Sequence, residues 1–98
     1  MSYQDVINAA LRLDILRALE CDAGYAHNEY VLRELLRCVG HDVSADRLRV
    51  DLAWLAEQGL ITLVSQGDIQ VARLNDRGQD VAAGRAQIPG VARPGPGQ

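Results

Sequence analysis

The segment that most constrains the fold is residues 44–60, SADRLRVDLAWLAEQGL. From Leu48 onward its leucines recur at the i, i+4 and i+7 positions, a spacing that places apolar side chains on one face of a helix. The hydroxyl of Ser44 is suited to capping the first free backbone amides, and Gly59 supplies a stop at the other end. The segment therefore predicts a helix whose leucines lie in the core and whose opposite face meets another molecule.

The rest of the chain predicts a short, regular order of elements around this helix. Helical periodicity marks two earlier segments, and two β-rich runs on either side of the turn QGD indicate a hairpin. The predicted elements are helices at residues 3–20, 29–39 and 44–60, strands at 60–65 and 69–74, and a short helix from residue 76. Asn28 and Asn75 are the expected caps of the second and last helices. Because a short turn with Gly40 joins the second helix to the third, the pair predicts a helix-turn-helix.

The first helix is apolar on two sides, which is more than one contact requires. Ile7, Leu11 and Ile15 share one side, and Leu13 and Leu16 belong to the other. Such a helix either lies at the centre of the fold or buries one side against a second copy. We therefore expect either a homodimer that uses Ile7, Leu11 and Ile15, or a monomer whose other helices cover both sides.

Length and composition predict one small cytoplasmic domain. The 98 residues, 48% of them hydrophobic and 23% charged, are typical of a soluble globule with a single modest core. The chain has no apolar run long enough to span a membrane and no signal-peptide pattern at its N-terminus. Residues 1–84 form the predicted domain, and residues 85–98, rich in Pro and Gly, form a predicted flexible arm.

The charge distribution weighs against a strong non-specific grip on nucleic acid. The net charge is −3, whereas non-specific affinity grows with the number of phosphates neutralised. All ten basic residues are Arg, whose forked guanidinium suits phosphate and guanine. The last eighteen residues carry the only basic excess, so the positive end of the chain is its tail.

The order helix, helix-turn-helix, hairpin resembles that of winged-helix domains. In detail, residues 43–61, VSADRLRVDLAWLAEQGLI, resemble the recognition-helix segment of ArsR-like and MarR-like bacterial regulators. RLNDRGQDVAAG, residues 73–84, resembles the segment that follows the wing in those families. The resemblance implies a mainly α fold with a small β-hairpin: a three-helix core, a two-stranded wing, a short C-terminal helix and a Pro/Gly-rich tail. It also implies DNA binding.

Nearly the whole chain also resembles the small winged-helix proteins of Mu-like phages and prophages, in which a tail similar to IPGVARP closes the sequence. This implies a phage setting inside a bacterial cell. The chain departs from the regulators at its wing tip, where Gln66 and Asp68 stand in place of Arg or Lys. It also lacks a cysteine pair in residues 44–60, so no metal sensing is inferred.

The candidate DNA-binding residues come from the helix-turn-helix geometry, in which the third helix enters the major groove. Arg47 is the predicted reader of guanine or phosphate, with Arg49 beside it. The other candidates are Ser44 and Val50 on the third helix. Arg33 and Arg37 on the second helix are expected to contact the phosphate backbone of the DNA. The alternative is a solvated helix face with an ion pair between Arg47 and Asp51.

A rival hypothesis gives the same face a protein partner from the phage or its host. Trp54 is predicted on the side of Arg47 and Val50, and Trp and Arg are enriched in interface hot spots. Trp54 could instead pack inside the molecule, against the first helix or the wing. Gln66 and Arg73 complete the predicted partner or wing contacts.

No sequence pattern indicates metal or catalytic chemistry. Cys21, His27, Cys38 and His41 are the ligand types of a zinc site, but their spacing fits no zinc-finger pattern. The chain has no phosphate-binding glycine loop, nucleophile elbow or paired-carboxylate motif. We therefore expect free thiols, no cofactor and no enzymatic activity.

Overall fold

The computed structural model describes residues 2–95, and it has the predicted order of elements with one additional short strand. The helices are α1 (Tyr3–Glu20), α2 (Glu29–Cys38), α3 (Ala45–Glu57) and α4 (Asp76–Ala83), and the strands are β1 (Ala26–Asn28), β2 (Ile61–Gln66) and β3 (Ile69–Leu74). Side chains of Asn28, Ser44 and Asn75 each accept a backbone N–H at the start of α2, α3 and α4, as predicted. The prediction of a winged helix is confirmed.

Strand β1 is an element that the sequence did not reveal. The sheet has the order β1-β3-β2, with β3 antiparallel to both neighbours. Ala26 pairs with Arg73, and Asn28 pairs with Val71. The three residues of β1 have no strand-like composition and lie in a segment that reads as a turn. They are extended because β3 offers them a free edge, which is a tertiary effect.

The core forms where α1, α2, α3 and the base of the wing meet. The predicted apolar face of α3 is confirmed, since Leu48, Leu52 and Leu55 are buried. On α2 only one of two apolar stripes lies in the core: Leu32 and Leu36 are fully buried, but a second apolar stripe is exposed. That stripe consists of Val31, Leu35 and Val39. One face of a ten-residue helix is enough to close this small core, so the second stripe lies outside it.

Both apolar sides of α1 are used within one chain. Leu11 and Ile15 are 1% and 0% exposed, and Leu13 and Leu16 are buried as well. The prediction that Leu11 and Ile15 form a dimer interface is therefore wrong, because the monomer core already encloses them. Ile7, the third predicted interface residue, is partly buried.

The C-terminal segment is packed against the domain through residue 95, which corrects the predicted flexible arm. Ile88 and Val91 are buried in the core, and the backbone N–H of Ala92 donates to the carbonyl of Ala9 in α1 at 3.0 Å. Proline and glycine prevent a helix here, but two well-placed apolar side chains suffice to hold an irregular segment down. Residues 96–98 of the predicted arm lie outside the described part of the chain.

Candidate nucleic-acid interface

The outermost line of α3 is narrower than the sequence suggested. We call it the α3 ridge, and it consists of Asp46, Val50, Ala53 and Glu57, all exposed. Val50 is 64% exposed, as its place among the predicted contact residues requires. Arg47 and Trp54, also predicted on this line, instead lie on the flank that meets α1. The α3 ridge is therefore apolar and acidic along its centre, with one arginine on each flank.

Arg49 holds the flank that faces α2 and the wing. Its Nε and Nη2 donate to the two carboxylate oxygens of Glu29 at 2.9 and 3.0 Å, and Nη2 also donates to the carbonyl of Asp68 at 2.9 Å. Glu29 is buried at the start of α2, and it also accepts the backbone N–H of Gln70 at 2.7 Å. Arg49 therefore ties α2, α3 and the wing together.

This fork changes the ionisation of both groups. The hydrogen bonds from Arg49, followed by the one from the Gln70 backbone, lower the pKa of Glu29, although desolvation opposes them. The hydrogen bond and charge of Glu29 raise the pKa of Arg49 in turn. The pair is ionised and nearly neutral overall, so Arg49 adds little net positive charge to the interface.

Arg47 occupies the opposite flank. Its Nε donates to Oδ2 of Asp51 at 2.9 Å, which confirms the i, i+4 ion pair considered as the alternative, and its Nη2 donates to Oδ1 of Asn8 in α1. Asp51 is only 1% exposed and has a second cation, because Nε of Arg12 donates to its Oδ1 at 3.2 Å. The predicted reader of DNA thus takes part in a network between α3 and α1.

Trp54 is an internal contact. The guanidinium of Arg12 lies 4.1 Å from the centre of the indole ring, a distance typical of a cation–π interaction. Gly90 of the C-terminal segment lies so close to the ring that a Cβ there would meet its carbons at 2.8 Å. Trp54 therefore packs against α1 and the C-terminal segment, which confirms the alternative of packing inside the molecule against the first helix.

The remaining predicted contact residues are scattered. The hydroxyl of Ser44 accepts the backbone N–H of Arg47, while Nε of Arg33 donates to the carbonyl of Val43 across the turn. Arg37 is exposed and forms a 3.3 Å surface ion pair with Glu34. The structure does not bring Arg33 and Arg37 onto the α3 ridge.

The wing gives the interface no cation at its tip. Gln66 is exposed at the end of β2, as predicted for a contact residue. Arg73 lies at the other end of β3, where its Nη1 donates to the carbonyl of Gly24 at 3.0 Å. The exposed apolar side chains of the wing are Val64 and Ile69.

A second surface feature lies away from the α3 ridge. A cavity of about 630 Å³ opens between α1 and α2, and the exposed stripe of α2 forms one of its walls. Cys21 and Cys38 line it as free, exposed thiols. Within residues 2–95, no three His, Cys, Asp or Glu side chains are grouped as they would need to be to hold a metal ion.

Comparison with known proteins shows that the chain is similar to a phage protein. It is 45% identical over 92 residues to the uncharacterized protein gp26 of Escherichia phage Mu, covering 94% of this chain and 95% of gp26. The chain belongs to the gp26 family. No protein-family model matches the present chain. An uncharacterized Haemophilus influenzae protein is 44% identical over 63 residues, which are 64% of this chain and 61% of that protein.

Solved structures place this gp26-family chain in a known fold. The complex structures of hsRosR-S1 and hsRosR-S4 each align with a TM-score of 0.64 at 24% identity. The alignments cover 79% of this chain and 68% of hsRosR-S1, and 81% of this chain and 69% of hsRosR-S4. The likeness shows the winged-helix fold. Among the described residues, no helix is both long and apolar enough to cross a membrane.

Two residues that organise the interface, Arg12 and Glu29, escaped sequence reasoning, and the burial of Asp51 was not predicted although its ion pair with Arg47 was considered. Of these residues, only Asp51 could have been found from the sequence, because it lies one turn after Arg47 and among the leucines of α3. The partners Arg12 and Glu29 are 39 and 20 residues away from their contacts. No local pattern connects residues so far apart.

Proposed function

We propose that this gp26-family protein binds duplex DNA through the α3 ridge and its two flanking arginines, as a phage regulator of transcription. The observation that carries the proposal is the arrangement of α2, α3 and the wing, which leaves the outer face of α3 uncovered while fixing Arg49 beside it. A helix presented in this way fits the major groove. The helix N-terminus adds amides that favour phosphate.

Arg49 supports the proposal because one edge of its guanidinium, at Nη1, is free to bind another molecule. Its Nε and Nη2 donate hydrogen bonds to Glu29 and Asp68, and within residues 2–95 its Nη1 donates none. Two N–H groups on a guanidinium that is 45% exposed thus remain for a phosphate oxygen. Because the fork to Glu29 holds the side chain in place, little conformational entropy is lost when Arg49 binds.

The acids on the α3 ridge favour DNA binding that depends on the base sequence. Asp46 lies in the first turn of α3, where a helix-turn-helix contacts base edges. A carboxylate there accepts a hydrogen bond from the amino group of cytosine and repels phosphate elsewhere. With a net charge of −3, we expect weak binding to random DNA and strong dependence on sequence.

A charge placed on the α3 ridge tests the proposal. Val50→Glu adds a negative charge at an exposed position, so the fold should survive while DNA affinity falls at least tenfold. Ala83→Glu adds the same charge at an exposed position on α4 and should leave affinity unchanged. The measurement is fluorescence anisotropy with labelled duplexes cut from phage Mu DNA at about 50 mM salt. Equal affinities for the two variants contradict the proposal.

A protein partner is the second candidate, because the surface around the ridge is partly apolar. Val50 is 64% exposed and Tyr30 of α2 is 56% exposed, and the exposed acid Asp46 lies one turn before Val50 on α3. An apolar centre with an acidic neighbour suits a partner whose own surface carries apolar and basic side chains. In this case Val50→Glu abolishes capture of a phage or host protein, and no variant binds DNA.

Homodimer formation is also proposed, although not through the core of α1. The exposed apolar residues near the start of α1 are Tyr3 and Val6, next to the partly buried Ile7. These side chains and the exposed stripe of α2 remain available to a second copy. A mass that stays at 10.7 kDa by light scattering at high concentration contradicts the dimer.

A further inference from the structure

The two arginines that flank the α3 ridge are bound in different ways. Among the described residues, Glu29 has one cation, Arg49, so moving Arg49 away would leave a buried carboxylate with only the amide of Gln70. Asp51 has two cations, because Arg12 and Arg47 each donate to one of its oxygens. An unpaired buried charge is costly, whereas a carboxylate that keeps one partner is not left unpaired.

Arg12 is the better anchored of the two partners of Asp51. Its Nη1 donates to the carbonyl of Gly90 at 3.1 Å, and its guanidinium stacks on Trp54. Its side chain is 18% exposed, against 33% for Arg47. Within residues 2–95, the other side-chain hydrogen bond of Arg47 goes to Oδ1 of Asn8 in α1. Arg12 is therefore expected to stay with Asp51 if Arg47 leaves.

We propose that Arg12 is a positioning residue for DNA binding, because its pairing with the buried carboxylate of Asp51 releases Arg47 to contact a phosphate of the DNA backbone. This inference rests on the proposed function and assigns different roles in DNA binding to Arg47 and Arg49. Arg49 stays clamped to Glu29 and offers its free edge, while Arg47 swings from Asp51 and Asn8 to the phosphate. The network then carries one surplus positive charge, which belongs to Arg47.

The salt dependence of DNA binding tests the proposal. Each phosphate neutralised contributes about 0.9 to the slope of log affinity against log salt. Arg47→Gln should reduce the slope by about 0.9, which makes the affinity loss between about 50 and 200 mM salt roughly 3.5-fold smaller. Arg12→Gln should have the same effect although Arg12 touches no DNA, because Arg47 must then stay with Asp51. Arg12→Lys retains a cation at Asp51 and should restore the wild-type slope.

The double variant separates positioning from a structural role. If Arg12 acts through Arg47, then Arg12→Gln combined with Arg47→Gln has the slope of Arg47→Gln alone. Without DNA, the Nε–H proton of Arg47 should exchange more slowly with solvent in Arg12→Gln than in the wild type, as measured by NMR. A wild-type slope for Arg12→Gln, additive effects in the double variant, or faster exchange overturns the inference.

Two further outcomes keep the inference distinct from the proposed function. If Arg12→Gln does not fold, Arg47→Gln decides alone, since Asp51 keeps Arg12 in that variant and an unchanged slope overturns the release of Arg47. If the wild type and all variants fail to bind DNA at low salt, the proposed function is wrong and the inference falls with it. Binding with an unaltered slope refutes only the inference.

Discussion

Gly78→Ala is predicted to destabilise the protein, although alanine is the better helix former. Gly78 lies in the first turn of α4, where the helix packs on the backbone of Leu60, directly before β2. A Cβ at this position would lie 2.1 Å from the carbonyl oxygen of Leu60 and 2.7 Å from Cδ1 of Leu74. The first of these atoms is backbone, so rotation of a side chain does not relieve the clash.

The magnitude follows from two opposing terms. Replacing glycine by alanine inside a helix stabilises it by about 1 kcal/mol. Overpacking costs about 1–3 kcal/mol and more where the backbone must move. Here α4 must move away from Leu60, whose carbonyl also accepts the backbone N–H of Asn75 at 3.2 Å. We expect a net loss of about 2 kcal/mol, or a Tm lower by roughly 10 °C for a domain of this size.

Chemical denaturation followed by circular dichroism measures the change in unfolding free energy. Ala53→Gly, at an exposed position in the middle of α3, calibrates the helix-propensity term and should cost about 1 kcal/mol. If Gly78→Ala is neutral or stabilising relative to the wild type, the close approach of α4 to Leu60 is not present in solution.

The remaining predictions concern the core, the Glu29 clamp and the C-terminal segment. Leu36→Ala should cost about 2–5 kcal/mol in denaturation experiments and Leu35→Ala less than about 1 kcal/mol, because only Leu36 is fully buried. Since the pKa of Glu29 is lowered by folding, its carboxylate stabilises the protein above an unfolded pKa near 4.3 and loses this effect as the pH falls through the folded value. The stability difference between wild type and Glu29→Gln should therefore shrink below about pH 4.3, and a pH-independent difference contradicts the clamp. Ending the chain after residue 84 should shift the fluorescence of Trp54, the only tryptophan, to longer wavelength, and an unshifted spectrum contradicts the packing of Gly90 on the ring.

Local signals were sufficient for the helices, their caps and the hairpin. Ser44, Asn28 and Asn75 cap helices because a capping residue acts within three positions of itself. The leucine spacing of α3 likewise determined which face is buried. These are short-range effects, and the sequence displays them directly.

Contacts between residues far apart in the sequence could not be predicted from such local signals. Strand β1 exists because β3 offers an edge, and the C-terminal segment is ordered because Ile88 and Val91 find space in the core. At the interface, the angular position of Arg47 allows either an outward or a lateral orientation. Asp51 and Asn8 decide between them, and the second of these is 39 residues away.

The most direct test of the central claim is the effect of Asp46→Asn on DNA affinity, compared with Asp76→Asn. Both acids are exposed in the first turn of a helix, so both substitutions lose a similar interaction with the helix dipole. Only Asp46 lies on the α3 ridge. The account predicts that Asp46→Asn strengthens binding to random duplex DNA severalfold and that Asp76→Asn leaves it unchanged. Equal affinities for both variants and the wild type would contradict DNA binding by the α3 ridge.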